Sequence, residues 1–131
     1  MRRNAWMILT GLVIAAAPVH AASIDGAWTT DEAMCDSVFK KDGGKVVFTK
    51  DADLHGSGFI IAGKTIQGKA ARCQIKSLTQ KGDTVKISAM CATDVMISRS
   101  TFELIVDPEG KLTRRFPLMP EMTIDYHRCK G

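Results

Sequence analysis

The amino-acid sequence predicts an all-β fold: a small antiparallel barrel or sandwich of about eight short strands with one short N-terminal helix and two disulfides, after a cleaved signal peptide. Three observations predict this class. Apolar and polar residues alternate over many short stretches. Turns containing glycine, aspartate or proline separate those stretches at regular intervals. Four cysteines follow an N-terminal export signal, where disulfides are the default.

Residues 1–21 have the features of a secretory signal peptide. Two arginines precede an apolar run over residues 5–17. Val19 and Ala21 supply the small side chains that select a cleavage site, so we predict cleavage after Ala21. The run is shorter than the roughly 20 residues of a spanning helix. We therefore expect one disulfide-stapled domain over residues 22–131, periplasmic or secreted through a Sec-type signal, with no membrane span in the mature chain.

The first elements of the mature chain are predicted to be a short strand and a helix. Residues 24–28 alternate as a strand does. Thr29 and Glu32 have the spacing of a capping box and an apolar stripe follows, so we predict a helix over about 31–39 that packs on the barrel. The next strands are predicted over residues 45–49, 59–62 and 64–69.

Residues 72–91 form a predicted hairpin with a cysteine near each end. The apolar faces of its two strands must coincide. With a three-residue turn over 81–83, this condition sets Cys73 directly opposite Cys91. The same register pairs Ile75 with Ala89 and Ser77 with Ile87.

All four cysteines are expected in structural disulfides. The closely spaced pairs that zinc sites and redox motifs use are absent from the sequence. The hairpin register favours Cys73 with Cys91, and Cys35 with Cys129 follows by elimination. The other two connectivities stay open, because spacing alone cannot exclude them.

The C-terminal half predicts a second hairpin and a closing strand. Residues 95–106 form the longest strand candidate, and 107–110 suit a turn. The prolines within 117–120 interrupt the sheet because proline donates no ladder hydrogen bond, and 122–129 follow as the last strand. The turn pairs Val106 with Leu112, Phe102 with Phe116, Leu104 with Arg114 and Glu103 with Arg115.

Charge and motifs exclude several classes of function. The full chain has a net charge of +4, of which two charges belong to the leader. Basic and acidic residues alternate finely along the rest, which argues against a nucleic-acid partner. The sequence contains no phosphate loop, dinucleotide fingerprint or calcium loop, so we expect no cofactor and no metal.

Two short motifs carry a resemblance. Gly26 and Trp28 form a G-x-W pattern, and Tyr126, Arg128 and Cys129 form a terminal Y-x-R-C. With four spaced cysteines, this pattern resembles small exported four-cysteine β-domain proteins of Gram-negative bacteria over the whole mature chain. At fold level the chain is also similar to periplasmic lysozyme inhibitors, which are small disulfide-bearing β-barrels.

The loop around residues 55–58 is the first candidate site. Lysozyme inhibitors present a serine-glycine loop with a nearby tyrosine, whereas Ser57 and Gly58 are followed here by Phe59. His55 and Ser57 could begin a nucleophile and base pair, but no third orienting group is evident. We interpret the loop as a glycine-rich turn, with partner contact through His55, Ser57 and Phe59 as the functional alternative.

Three further features are weighed in the same way. The first is a set of three arginines, Arg99, Arg114 and Arg115, which could converge to form an anion site. The alternative interpretation is a simple ion pair between Glu103 and Arg115. Arg128 is expected to stack on Trp28 at one end of the barrel. The apolar stretch 116–122 is predicted to be a lid over the core, with a partner interface through Leu118 and Met119 as the alternative.

We therefore predict a non-catalytic periplasmic or secreted binding module, not an enzyme. Its partner would be an unknown protein or envelope component, such as an envelope hydrolase that it inhibits or accompanies. One alternative is a small exported hydrolase that uses His55 or His127. Another is a structural or secreted interaction factor. The sequence leaves the oligomeric state open.

Overall fold

A computed structural model describes residues 24–54 and 58–130, together with Gly11. The rest of the predicted signal peptide, His55 and Ser57 lie outside the described residues. The strands are β1 (Gly26–Thr29), β2 (Phe39–Asp42), β3 (Lys45–Phe48), β4 (Gly58–Ala62), β5 (Thr65–Gln67), β6 (Arg72–Lys81), β7 (Thr84–Ala92), β8 (Ile97–Val106), β9 (Lys111–Phe116) and β10 (Met119–Cys129).

Eight of these strands form one closed antiparallel barrel, which confirms the predicted fold class and decides between barrel and sandwich. Their order around the barrel is β1, β10, β9, β8, β7, β6, β5 and β4. Every strand except β1 pairs with its neighbour in sequence within the barrel, as short turns favour. The pairing of β1 with both β4 and β10 closes the sheet and removes its edges.

The strands β2 and β3 form a separate hairpin outside the barrel, which the sequence prediction did not anticipate. Phe39 is the first residue of this hairpin and not the end of the predicted helix. It pairs with Phe48, and the two ring centres are 5.1 Å apart. The turn at Gly43 and Gly44 lets the strand 45–48 fold back on its predecessor and not on the barrel.

The predicted helix over 31–39 is shorter than expected and starts with a different cap. A 3₁₀ turn spans Glu32–Met34, α1 spans Cys35–Val38, and a second 3₁₀ turn spans Ala52–Leu54. The side chain of Asp31 accepts a hydrogen bond from the Ala33 amide at 3.0 Å and caps the first turn. Thr29, the predicted capping residue, ends β1 and donates its hydroxyl to the Asp31 carbonyl at 2.9 Å.

The β6–β7 register is confirmed near the cysteines and wrong near the turn. Cys73 pairs with Cys91 and Ile75 with Ala89, but Leu78 and not Ser77 pairs with Ile87. The turn has two residues, with Gly82 at φ +59° in the position where type II′ turns place glycine. A bulge at Lys76 absorbs the one-residue difference, so the apolar faces at the cysteine end still coincide.

Two apolar clusters hold the molecule together, one on each side of the barrel wall. The inner cluster fills the barrel and includes Trp28, Ile87 and Leu112. The outer cluster packs Val38 and Phe39 against the outer face of β1, where Ala27 lies. Alternation along β1 accounts for this division, because successive side chains point to opposite faces.

Both predicted disulfides are confirmed. Cys73–Cys91 joins β6 to β7 on the inner side of the barrel wall. Cys35–Cys129 joins the start of α1 to the end of β10 on the outer side, across a sequence separation of 94 residues. The second bridge therefore ties the outer helix and hairpin to the barrel.

Candidate ligand cavity inside the barrel

The two ends of the barrel differ in how they are closed. Adjacent strands run in opposite directions, so alternate turns lie at the same end. One end, here called the open end, carries Gly58 and the loops 68–71, 93–96 and 117–118. The opposite end carries the turns 63–64, 82–83 and 107–110, together with the start of β1 and the end of β10.

The opposite end, here called the closed end, is sealed by Trp28. Its side chain is only 1% exposed, and its indole nitrogen donates to the carbonyl of Ile24 at 3.0 Å. The guanidinium of Arg128, on the neighbouring strand, stacks over the indole. This contact confirms the stacking that the sequence predicted.

A cavity of about 290 Å³ occupies the barrel interior and reaches the open end at Gly58, Gly68 and Ala71. Gly58 lies so close to β1 that a Cβ atom there would be 2.6 Å from the Trp28 carbonyl oxygen. The other described lining residues are apolar apart from one arginine and one tyrosine: Phe59, Ile61, Ile66, Cys73, Phe102, Leu104, Arg114 and Tyr126. Such a lining, with few polar groups, is typical of small-molecule sites.

Among the described residues, Arg114 is the one cation that lines this cavity. It is two residues from buried Leu112 on β9, so alternation places both side chains on the inner face. Its guanidinium carbon lies 4.8 Å from the ring centre of Phe102 and 4.6 Å from that of Phe116. Within the part of the chain that the structure describes, no carboxylate forms an ion pair with it.

Tyr126 is the second polar group of the cavity. The residue is 5% exposed, and its ring meets that of Phe59 edge to face with 4.7 Å between centres. Among the described residues, no group forms a hydrogen bond with its hydroxyl. Because Tyr126 pairs with Leu112 and Ile124 pairs with Arg114, the tyrosine and the arginine are diagonal neighbours on the inner face.

The structure separates the three arginines that the sequence grouped as an anion site. Arg114 and Arg115 are consecutive, so their side chains point to opposite faces of β9. Arg115 pairs with Glu103 outside the barrel, with 3.2 Å between Nη1 and Oε1, which is the cross-strand ion pair that the register predicted. Arg99 is exposed on β8. Only Arg114 therefore belongs to the cavity.

The remaining predicted site residues lie apart from one another. Phe59 lines the cavity, while His55 and Ser57 lie outside the described residues. His127 is on the outer face of β10, next to the inward-facing Tyr126. Leu118 is 97% exposed, so the predicted lid over the core is wrong.

The apolar stretch fails to form a lid because the chain turns too tightly. A two-residue turn at Pro117 and Leu118 pairs Met119 with Phe116, and β10 begins there with Pro120 inside the strand. A register shift between Met119 and Thr123 accommodates the proline. The side chains of Leu118 and Met119 consequently point into solvent.

Two other depressions lie near the open end, with volumes of about 400 and 340 Å³. Exposed polar residues such as Arg72, Gln74 and Lys69 contribute to their walls. They lack the enclosed apolar lining of the barrel cavity. Over residues 24–54 and 58–130, no group of three or more His, Cys, Asp or Glu side chains is arranged to hold a metal ion.

Comparisons with protein-family models, with curated proteins and with solved structures give no match to this chain. The resemblance to exported four-cysteine proteins and to lysozyme inhibitors therefore stays a prediction. Among the described residues, no helix has the length and apolar character needed to cross a bilayer.

Proposed function

We propose that this protein is an exported, non-catalytic binding module that takes a small, largely apolar molecule into its barrel. The observation that carries the proposal is the cavity of about 290 Å³, which has a mainly apolar lining among the described residues and reaches the open end. The seal at the opposite end by Trp28 makes the interior a pocket and not a channel.

The cavity volume sets the size of the ligand and the affinity to look for. A cavity of about 150 Å³ holds one benzene ring, so this one has room for roughly a dozen non-hydrogen atoms. At about 0.5 kcal/mol for each atom, between the limits for very small and drug-sized ligands, the free energy of binding is about −6 kcal/mol. The expected Kd is therefore in the tens of micromolar.

Isothermal titration calorimetry with 1-decanol tests this proposal, because that neutral alcohol has the expected size. Wild type should bind one molecule with a negative heat-capacity change, the mark of apolar burial. Ala71→Trp should abolish binding by filling the mouth of the cavity, where Ala71 lies. Ala70→Trp is the matched control, since Ala70 is the exposed neighbour outside the cavity lining. Absence of binding to wild type, or equal binding by Ala71→Trp, would refute the proposal.

The hydrolase alternative has less support than the binding role. His127 is on the outer wall, away from the cavity, and His55 lies outside the described residues. Within the part of the chain that the structure describes, no hydroxyl group forms a hydrogen bond with His127. Chromogenic ester and amide substrates test the hydrolase alternative. Release of chromophore in proportion to the concentration of disulfide-intact protein would favour the hydrolase over the binding role.

A second candidate function is recognition of a protein partner by the β9–β10 turn. Its support is the exposure of three neighbouring apolar side chains at the open end, those of Leu118, Met119 and Met122. An envelope hydrolase inhibited through this turn would regain its activity when Leu118→Asp replaces wild type in an inhibition assay. Equal inhibition by wild type and the variant would exclude the turn as the contact.

A further inference from the structure

We infer that the molecule held in the barrel is an apolar monocarboxylate, and that Arg114 and Tyr126 bind its carboxylate while the rest of the cavity holds its apolar part. The inference rests on the proposed function and adds the chemical class of the ligand. It follows from two features of the described residues: the cavity is otherwise apolar, and it holds one cation without an ion pair and one hydroxyl without a hydrogen bond.

The charge of Arg114 is not neutralised by any carboxylate in the part of the chain that the structure describes. A guanidinium partly withdrawn from water is unfavourable unless it is paired or hydrogen-bonded. Its neighbour on the strand, Arg115, has the partner that such a group normally has, since Glu103 lies 3.2 Å away. The missing partner of Arg114 is therefore expected to be an anion that enters the cavity.

The rings of Phe102 and Phe116 orient the guanidinium for this task. Both ring centres lie within 5 Å of its central carbon, at 4.8 and 4.6 Å. Stacking uses the flat faces of the guanidinium, whereas its N–H groups point along its edge. Those N–H groups form a planar fork that matches the two oxygens of a carboxylate.

Tyr126 supplies a second donor beside the fork. Its ring is fixed against Phe59, and its hydroxyl has no hydrogen-bond partner among the described residues. As a diagonal neighbour of Arg114 on the inner face, it is placed to donate to the same carboxylate. A carboxylate accepts several hydrogen bonds at once, so arginine and tyrosine do not compete for it.

The experiment compares decanoate with 1-decanol, which has a similar chain and no charge, by calorimetry at neutral pH below the aggregation limit of either. Wild type should bind decanoate about 10- to 100-fold more tightly than decanol, as charge-assisted hydrogen bonds predict. Arg114→Met should remove that preference. Tyr126→Phe should weaken decanoate about threefold to tenfold.

Two variants keep the result interpretable. Arg115→Met removes an arginine from the neighbouring position on the outer face and should leave the affinity for both ligands within about twofold. Arg114→Lys keeps the charge without the planar fork and should give an intermediate preference. Melting curves and near-ultraviolet circular dichroism identify any variant that fails to fold, and Arg114→Lys replaces Arg114→Met in that case.

The outcomes separate the inference from the proposed function. Equal affinity of wild type for decanoate and decanol, or an unchanged preference in both folded Arg114 variants, would overturn the carboxylate assignment and leave the binding role intact. Binding of neither ligand would overturn both. A decanoate preference that Arg115→Met abolishes and Arg114→Met preserves would move the anion site to the outer surface and also refute the assignment.

Discussion

The guanidinium carbon of Arg128 lies 4.4 Å from the ring centre of Trp28, and the two residues are directly paired across β1 and β10. Arg128 also donates a hydrogen bond to the carbonyl of Asp25. An exposed cation thus covers the buried indole that seals one end of the barrel. The two motifs that stand at opposite ends of the mature sequence, G-x-W and Y-x-R-C, meet in this contact.

Removal of the arginine should therefore weaken the closed end. We expect Arg128→Leu to lower the free energy of unfolding by about 1 kcal/mol, because an exposed cation–π contact and one hydrogen bond are lost. Thermal unfolding would show this as a drop in Tm of roughly 4–8 °C. Arg72→Leu is the control, since Arg72 is exposed on β6 with no ion pair or ring contact among the described residues. Equal Tm values for the two variants would contradict the role of the contact.

The glycine of the G-x-W motif, Gly26, is at a position that disfavours any larger residue. Gly26 has φ +143°, and a Cβ atom there would lie 2.8 Å from Nη1 of Arg128. We expect Gly26→Ala to lower the free energy of unfolding by about 2–3 kcal/mol, through backbone strain and displacement of the arginine. Gly43→Ala tests strain alone, because Gly43 has φ +58° in open space. Denaturant titration should show the smaller loss for Gly43→Ala, and the opposite order would count against this explanation.

Removal of each disulfide should lower the free energy of unfolding by a different amount. Replacing Cys73 and Cys91 by serine opens a loop of 18 residues and should lower the free energy of unfolding by about 3 kcal/mol. The same change at Cys35 and Cys129 opens one of 94 residues and should lower it by about 4–5 kcal/mol. Urea titration of both double variants gives the comparison. Untreated protein should also fail to react with a thiol-alkylating reagent, and ready labelling would contradict both bridges.

Much of the barrel could be predicted from the sequence because its signals are local. The cysteine positions in the β6–β7 hairpin share a face through alternation, and the turn at 107–110 sets the β8–β9 register. Both pairings depend on residues close in sequence. The bulge at Lys76 was not predictable in this way, because no residue type marks the point where a one-residue difference is absorbed.

The candidate site was harder to predict, because it depends on which face of each strand points into the barrel. Alternation with Leu112 and Phe116 already placed Arg114 on an apolar face, and that signal could have separated it from Arg115. Alternation along the last strand already placed Tyr126 on the face opposite to Cys129, but the pairing of β9 with β10 was needed to bring it beside Arg114. The closure of β1 on β4 and β10 joins distant segments, and no local pattern encodes it.

Acid should weaken the outer contact between β9 and β10. The Thr113 hydroxyl donates to Asp125 at 2.7 Å, and this bond, helped by the charge of Lys111 at 3.5 Å, lowers the pKa of Asp125 below its usual 3.8. A lowered pKa stabilises the fold above 3.8, and that contribution is lost as the pH falls through the lowered value. Wild type should therefore lose more stability on acidification than Thr113→Val does.

Chemical denaturation of both proteins from about pH 6 to about pH 2 measures this difference. Thr79→Val, an exposed threonine on β6 without a side-chain hydrogen bond among the described residues, should follow the wild-type curve. The difference in the free energy of unfolding between wild type and Thr113→Val should shrink as the pH falls. A difference that grows toward low pH would contradict this interpretation.

Two leucines on neighbouring elements test how the molecule divides its apolar residues between core and surface. Leu112 is 0% exposed on the inner face of β9, whereas Leu118 in the next turn is 97% exposed. Leu112→Ala should lower the free energy of unfolding by about 3 kcal/mol, because it leaves a cavity in the packed part of the barrel. Leu118→Ala should change it by less than about 0.5 kcal/mol. Burial, and not residue type, sets this difference. A large loss of stability for Leu118→Ala would contradict it, because it would mean that the turn packs on the barrel as the lid that the sequence predicted.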